Sequence, residues 1–317
     1  MLFYRPIAAI AFGILILSVL SMACKKDASI PKIFKAQNAI VIIIDGPRYS
    51  ETFGDTTHQN IPELYSISQQ GVLFTNMYNK GVTNTMNGIA AITTGNYGAL
   101  ANNGTTSPNY NNYLFYFIKQ YQLSNFQTWI ISSKDKVDAL KTCANCNHAS
   151  NEIPQTNCGN IGLNTGYRND SITTTMALYT LHTYRPKAML IHFREPDYSA
   201  HTGVWNDYIN GIKSTSKYTE TLWNYLQTDS FYKNNTAVFI TNDHGRHLDS
   251  IADGFASHGD NCEGCRHTSL VALGPDFPKG KIDASNYSQI DITSTINYMF
   301  RLNMVNASGK AIISLID

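Results

Sequence analysis

The stretch Ala39-Ile40-Val41-Ile42-Ile43-Ile44-Asp45-Gly46 decides the fold. Its apolar, largely β-branched run has no polar face, as expected of a strand covered on both sides within a parallel sheet. Asp45-Gly46 ends the run and can point a carboxylate out of the sheet edge.

Working outward, similar short runs occur at Gln127 to Ile131, Ala188 to Phe193, Ala237 to Thr241 and Leu270 to Leu273. Between them lie helical patterns, notably Asn206 to Leu226, where Tyr208, Ile212, Leu222 and Tyr225 share one face. Strands alternating with helices predict a three-layer α/β/α sandwich around a mainly parallel central sheet. With 317 residues, 43% of them hydrophobic, the chain can bury a large single core, expected over residues 38–317. Residues 96–170, rich in Asn, Gly, Ser, Thr and Tyr, read as a loop-rich insertion able to cover the site. A net charge near +1 with 15% charged residues offers no basic field for nucleic acid, so partners must be read from sites.

At the N-terminus, Arg5 precedes an apolar run from Ile7 to Leu20 that is short for a membrane span and reads as an export signal. The sequence Leu20-Ser21-Met22-Ala23-Cys24 resembles a bacterial lipoprotein signal. Residues 1–23 are then a signal peptide, Cys24 the lipidated residue and 24–37 a tether, which anchors the protein in the bacterial cell envelope through an N-terminal lipid. In an exported protein the two CxxC pairs are most simply disulfides, Cys262 with Cys265 among them. The alternative for the other cluster is a zinc site from Cys143, Cys146, His148 and Cys158.

Ligand-type residues recur at strand ends: Asp45; Asp197 and His201, four apart; the adjacent Asp243-His244; and His258 between Ser257 and Gly259. Each histidine alone is more often structural, but four acid and imidazole elements at strand ends point to metal chemistry. Thr85, leading into an apolar segment, can cap a helix or place a hydroxyl for attack on phosphorus. Arg48 and Arg194 lie near these ligands, but arginines of this kind are usually only solvated.

Ile43-Ile44-Asp45-Gly46, Thr85 ten before Gly95, Glu195-Pro196-Asp197 with His201, Asp243-His244-Gly245, and His258-Gly259 with Gly274-Pro275 together resemble the alkaline phosphatase superfamily. Within it the chain looks most like the type I phosphodiesterase and nucleotide pyrophosphatase branch, with phosphonoacetate hydrolase nearby. The resemblance implies two divalent metals, zinc by preference. One would be held by Asp197, His201 and His258, the other by Asp45, Asp243 and His244. It also implies hydrolysis of a small-molecule or headgroup phosphoryl substrate through a phospho-Thr85 intermediate.

Gly88 stands where that branch usually places an Asn, leaving Asn87 as the candidate for substrate oxygens, with Arg266 and His267 as further candidates. His267 also competes with His258 for the metal. Only 13 residues separate His244 from His258, so the large insertion of nucleotide pyrophosphatases is missing. Thr85-Met86-Asn87-Gly88 does not match the Cys/Ser-x-Pro-x-Arg context of sulfatases, which makes a sulfatase the less favoured hydrolase. A phosphomonoesterase, a phosphoryl transferase of the same fold and a non-catalytic surface-binding lipoprotein are the alternatives.

Overall fold

The computed structural model describes residues 1–2 and 33–313 and divides the chain into two units, Met1–Ile33 and Phe34–Asp317. The predicted signal, the lipidation site Cys24 and most of the tether lie outside the described residues. Everything below concerns the second unit. Among the described residues no helix is long and apolar enough to cross a membrane.

The strands are β1 (Asn38–Asp45), β2 (Val72–Tyr78), β3 (Thr128–Ser132), β4 (Gln155–Cys158), β5 (Ala188–Pro196), β6 (Thr236–Asn242), β7 (His267–Leu273), β8 (Lys281–Asp283) and β9 (Tyr287–Ser288). The helices are α1 (Pro62–Ser68), α2 (Thr85–Thr94), α3 (Tyr113–Tyr121), α4 (Asp170–Tyr184), α5 (Asp197–Ala200), α6 (Trp205–Thr228), α7 (Glu263–Arg266) and α8 (Ile290–Phe300). The strands form one sheet in the order β4-β3-β5-β1-β6-β7-β2-β8, with β9 pairing β2. Pairings from β4 through β6 are parallel, and β7 runs antiparallel to both β6 and β2.

The pleat of β1 explains its unbroken apolar run. Ala39, Val41 and Ile43 face one core with residues of α2, α3 and α8, whereas Ile40, Ile42 and Ile44 face a second core with residues of α1, α4 and α6. Each large side chain removed from water here contributes about 1.5–3 kcal/mol, and both faces need it. The result is the three-layer sandwich expected from the sequence.

Residues 96–170 depart from the expected loop-rich decoration, because they supply α3, β3, β4 and a 3-10 segment over Asp135–Lys141. Leu114, Phe117, Ile130 and Val137 from this stretch are buried in the core. The polar residues that made the segment look like a loop serve its turns.

Candidate active site

The site is built where β3, β5, β1 and β6 end side by side. Parallel register sets Ile44 opposite Asn242 of β6, so Asp45 and Asp243 leave neighbouring strands at the same level. On the other flank the pairing slips between Ile44 and Asp45, from Phe193 to Pro196. That irregularity brings Asp197, the first residue of α5, beside Asp45. Gly46 makes the convergence possible: with φ of +66°, a Cβ there would lie 3.0 Å from both Arg246 Nη1 and His244 Cε1.

Asp45, Asp243 and His244 are fully buried, and Asp45 Oδ1, Asp243 Oδ2 and His244 Nε2 have no hydrogen-bond partner. His244 Nδ1 lies 2.9 Å from the Gly245 carbonyl and donates to it, turning Nε2 toward the two carboxylate oxygens at 3.3 and 3.6 Å. Three converging electron-pair donors, left unpaired inside a protein, are the donor set of a divalent cation. Asp243 Oδ1 is held by the backbone N–H groups of Gly46 and His244, which fixes the carboxylate plane. Burial, with Asp45 beside it, pushes the Asp243 carboxyl well above its ordinary range.

Of the second expected triad, Asp197 and His258 converge with His244, whereas His201 reaches Asp197 from an exposed position without joining that group. His201 Nε2 and His258 Nε2 each lie 3.2 Å from Asp197 Oδ1. His258 donates from Nδ1 to the Thr83 carbonyl at 2.8 Å and stacks on His244 at 3.9 Å between centroids. Burial, and then the neighbouring His244, pushes the His258 imidazole down to about 4. Yet both Asp197 oxygens already meet cations: Arg246 Nη1 pairs with Oδ1, and Lys134 Nζ lies 2.7 Å from Oδ2. His201 places Nδ1 3.4 Å from Arg246 Nη2, a donor, so its Nε2 serves as the donor to Asp197. This group therefore fits a metal less well than the Asp45 group does.

Lys134 follows β3 and is fully buried with its ammonium 2.7 Å from Asp45 Oδ2 and 3.2 Å from Thr85 Oγ1. Burial disfavours its charge, but the Asp197 and Asp45 carboxylates outweigh burial and hold the amine protonated. Burial raises the Asp45 and Asp197 carboxyls, but the same ammonium together with the neighbouring histidine hydrogen bonds outweighs it and keeps both well below their usual range. His192, in mid-β5, donates to Asp45 Oδ2 from Nε2 at 3.0 Å while Nδ1 meets Ser132 Oγ at 2.9 Å.

Thr85 sits at the first position of α2, with Oγ1 donating to Asp45 Oδ2 at 3.3 Å. It does not cap the helix, because the Asn84 side chain accepts from the Asn87 N–H. That arrangement leaves the Thr85 hydroxyl to the site. Gly88 packs directly on the Asp243 backbone: a Cβ there would lie 2.8 Å from the Asp243 carbonyl carbon and closer still to its oxygen.

Two of the substrate candidates, Asn87 and His267, are engaged elsewhere. Asn87 spends its side-chain amide on Asn84 and on the backbone of Leu100, which it grips from both sides at 2.7 and 3.0 Å. His267 bonds the Thr75 carbonyl at 2.8 Å and stacks between Tyr49 and Tyr78, so His258 is the histidine at the ligand cluster. Arg266 contacts Asn261 at 2.6 Å.

The expected Cys262 to Cys265 disulfide is absent. Both are free thiols, and Cys262 caps α7, its sulfur accepting from the Cys265 N–H at 3.4 Å. Cys143 and Cys146 are bonded to each other, which removes them from the alternative zinc site, and Cys158 is buried in the core beside Ile130.

Lys134, His192 and Arg246 were not singled out by their sequence context. Lys134 lay inside the stretch read as decoration, although its place just past the predicted strand Gln127 to Ile131 was the available signal.

A family model described as Sulfatase matches residues 37–299. The chain belongs to the Sulfatase family. Its members are metal-dependent hydrolases of the alkaline phosphatase-like superfamily, and the fold agrees.

A phosphonate monoester hydrolase from Silicibacter pomeroyi superposes with a TM-score of 0.62 at 14% identity, over 88% of this chain and 76% of that one. The PsFucS1 sulfatase from Pseudoalteromonas sp. gives 0.58 at 12%, over 88% and 69%. A Vibrio parahaemolyticus protein of the alkaline phosphatase superfamily gives 0.59 at 15%, over 85% and 67%. At such identities these structures speak for the fold alone. No curated protein matches the sequence.

Proposed function

We propose that this Sulfatase-family chain hydrolyses a phosphodiester or a related phosphoryl or phosphonate ester through a covalent phospho-Thr85 intermediate. The observation that carries the reading is the Thr85 hydroxyl itself, uncapped at a helix N-terminus, 3.2 Å from a protonated lysine and 3.3 Å from Asp45. An unmodified threonine outside any Cys/Ser-x-Pro-x-Arg context favours phosphorus over sulfur.

A divalent ion held by Asp45, Asp243 and His244 would supply Lewis acidity for the hydroxyl and the transferring group. We propose one such ion in the site, zinc by preference from its carboxylate and imidazole donors, with the Lys134 ammonium supplying the second positive charge. Lys134 donates toward Thr85 Oγ1 and so favours the alkoxide over the alcohol. Asp45 and His192 orient that pair. As the Oγ–P bond forms, the Thr85 proton leaves to solvent along its hydrogen bond to Asp45, the bond from phosphorus to the ester oxygen breaks, and that oxygen departs with the electron pair and takes a proton from solvent. A water oxygen then attacks phosphorus, the P–Oγ bond breaks, and a proton returns to Thr85. The positive end of the α2 dipole favours the anionic group at both steps.

The apolar run Ile7 to Leu20 followed by Ser21-Met22-Ala23-Cys24 supports an exported, lipid-anchored protein acting on small molecules or lipid headgroups in the cell envelope. Hydrolysis of bis-p-nitrophenyl phosphate, p-nitrophenyl phosphate, a phenylphosphonate ester and p-nitrophenyl sulfate, by wild type and Thr85→Ala, tests the reading. Diester or phosphonate cleavage abolished by Thr85→Ala is expected. Preferential sulfate ester cleavage, or turnover indifferent to Thr85→Ala, overturns it.

A further inference from the structure

His247, Asp260, Cys262 and Cys265 bring one ligand atom each to within 4.8 Å of one another. This cluster shares no residue with the phosphoryl site. A tetrahedral ion with zinc-like bonds of about 2.0–2.3 Å needs ligand separations of roughly 3.3–3.8 Å, which small side-chain adjustments reach from here.

The strongest indication is His247. Its side chain is only 8% exposed, and Nε2 has no hydrogen-bond partner while facing Asp260 Oδ2 at 3.2 Å. The other ring nitrogen is committed: Nδ1 lies 2.9 Å from Ser257 Oγ, whose own hydroxyl donates to Asp253 Oδ1. Nδ1 must then be the donor, which turns Nε2, a ligand atom in the neutral ring, into the cluster. A histidine fixed by a hydroxyl and carboxylate behind it is the usual support of a metal ligand.

Cys265 is buried and Cys262 half-buried, and neither is bonded to the other or to Cys158. Without a cation, burial and the Cys262 neighbour push the Cys265 thiol up to about 12.

We propose that His247, Asp260, Cys262 and Cys265 form a structural zinc site, separate from the phosphoryl site. Zinc binding releases the two thiol protons to solvent and bonds both sulfurs, the imidazole and one carboxylate oxygen, closing a four-coordinate shell with no open position. The ion ties both ends of the segment carrying His258. That segment already reaches the nucleophile loop, since Thr83 Oγ1 donates to the Asp260 carbonyl at 2.7 Å and the Thr83 carbonyl accepts from His258. The clamp thereby holds His258 against Asp197.

The test is the absorption spectrum of the full-length chain, purified with reductant, stripped of metal and reloaded with cobalt(II). A thiolate-to-cobalt charge-transfer band is expected in wild type and in Asp243→Asn. It should vanish in Cys262→Ser/Cys265→Ser and in His247→Gln lose the tetrahedral d–d pattern. Elemental analysis of the zinc forms should show one equivalent lost in the cysteine variant and a different one in Asp243→Asn. No thiolate band in folded wild type, a Cys262 to Cys265 disulfide that survives mild reduction, or a band that persists in the double serine variant overturns the site. The wild-type spectrum needs no variant to fold, and it depends on no catalytic turnover.

Discussion

Lys134 Nζ stands 3.2 Å from Thr85 Oγ1, a buried ammonium beside the candidate nucleophile. The same nitrogen bridges Asp45 and Asp197 at 2.7 Å each, between the carboxylates of the two expected metal groups. One charged side chain thus links the three acidic or nucleophilic groups on which the chemistry depends.

Lys134→Met removes that charge while keeping most of the stem. Leaving Asp45 without its ammonium and Asp197 with Arg246 alone should cost about 3–5 kcal/mol of stability without metal. The vacated position should then admit a second divalent ion beside Asp197, restoring part of the loss. Calorimetry across a zinc titration checks this, with one more tight equivalent expected in the variant than in wild type. An unchanged stoichiometry would argue that Lys134 does not stand in for a metal.

Asp243→Asn should remove the active-site ion, because it converts one of three unpaired donor atoms into an amide. With zinc a hundredfold above the dissociation constant of this site, wild type should gain about 2.7 kcal/mol more than Asp243→Asn does, because the cysteine cluster responds to zinc in both. Thermal melts with chelator and with zinc measure the difference. The Asp243→Asn melt should respond far less.

Gly88→Asn would restore the residue usual in the phosphodiesterase branch, yet it should be harmful. Its Cβ would press on the Asp243 carbonyl, so α2 or the metal ligand must shift. A loss of several kcal/mol and weaker zinc binding are expected; a fully stable variant with higher kcat would show that the helix yields.

Burial, with Lys134 next in importance, pushes the Lys136 ammonium down to about 8 from 10.5. The unfolded chain therefore holds this proton over the window from about 8 to 10.5 while the folded chain does not, and stability gains by up to about 1.4 kcal/mol per pH unit there. Below the window the charged amine is a standing cost. Lys136→Gln should be more stable than wild type near neutral pH and should flatten the rise between pH 8 and 10.5 in denaturant titrations.

Much of this architecture was legible because a doubly covered sheet writes itself as unbroken apolar runs. Asp45, Asp197 and Asp243 could be found because each ends such a run, and the sheet gathers those ends along one edge. His192 carried a signal of the same kind, as the only ionisable residue within the run Ala188 to Phe193. What local sequence does not carry is who stands opposite whom. His267 looked like a ligand until Tyr49 and Tyr78 enclosed it, and Asn87 looked free until the backbone of Leu100 occupied it. Strand β2 escaped because Thr75 and Asn76 interrupt its apolar pattern where it nears the sheet edge.

The most direct measurement is acid quench of wild type during turnover of bis-p-nitrophenyl phosphate, followed by intact mass and peptide mapping. A substrate-dependent phosphoryl adduct on Thr85, absent from Thr85→Ala together with the turnover, is the predicted result. Turnover that continues undiminished in Thr85→Ala, or an adduct mapped to another residue, would contradict the account.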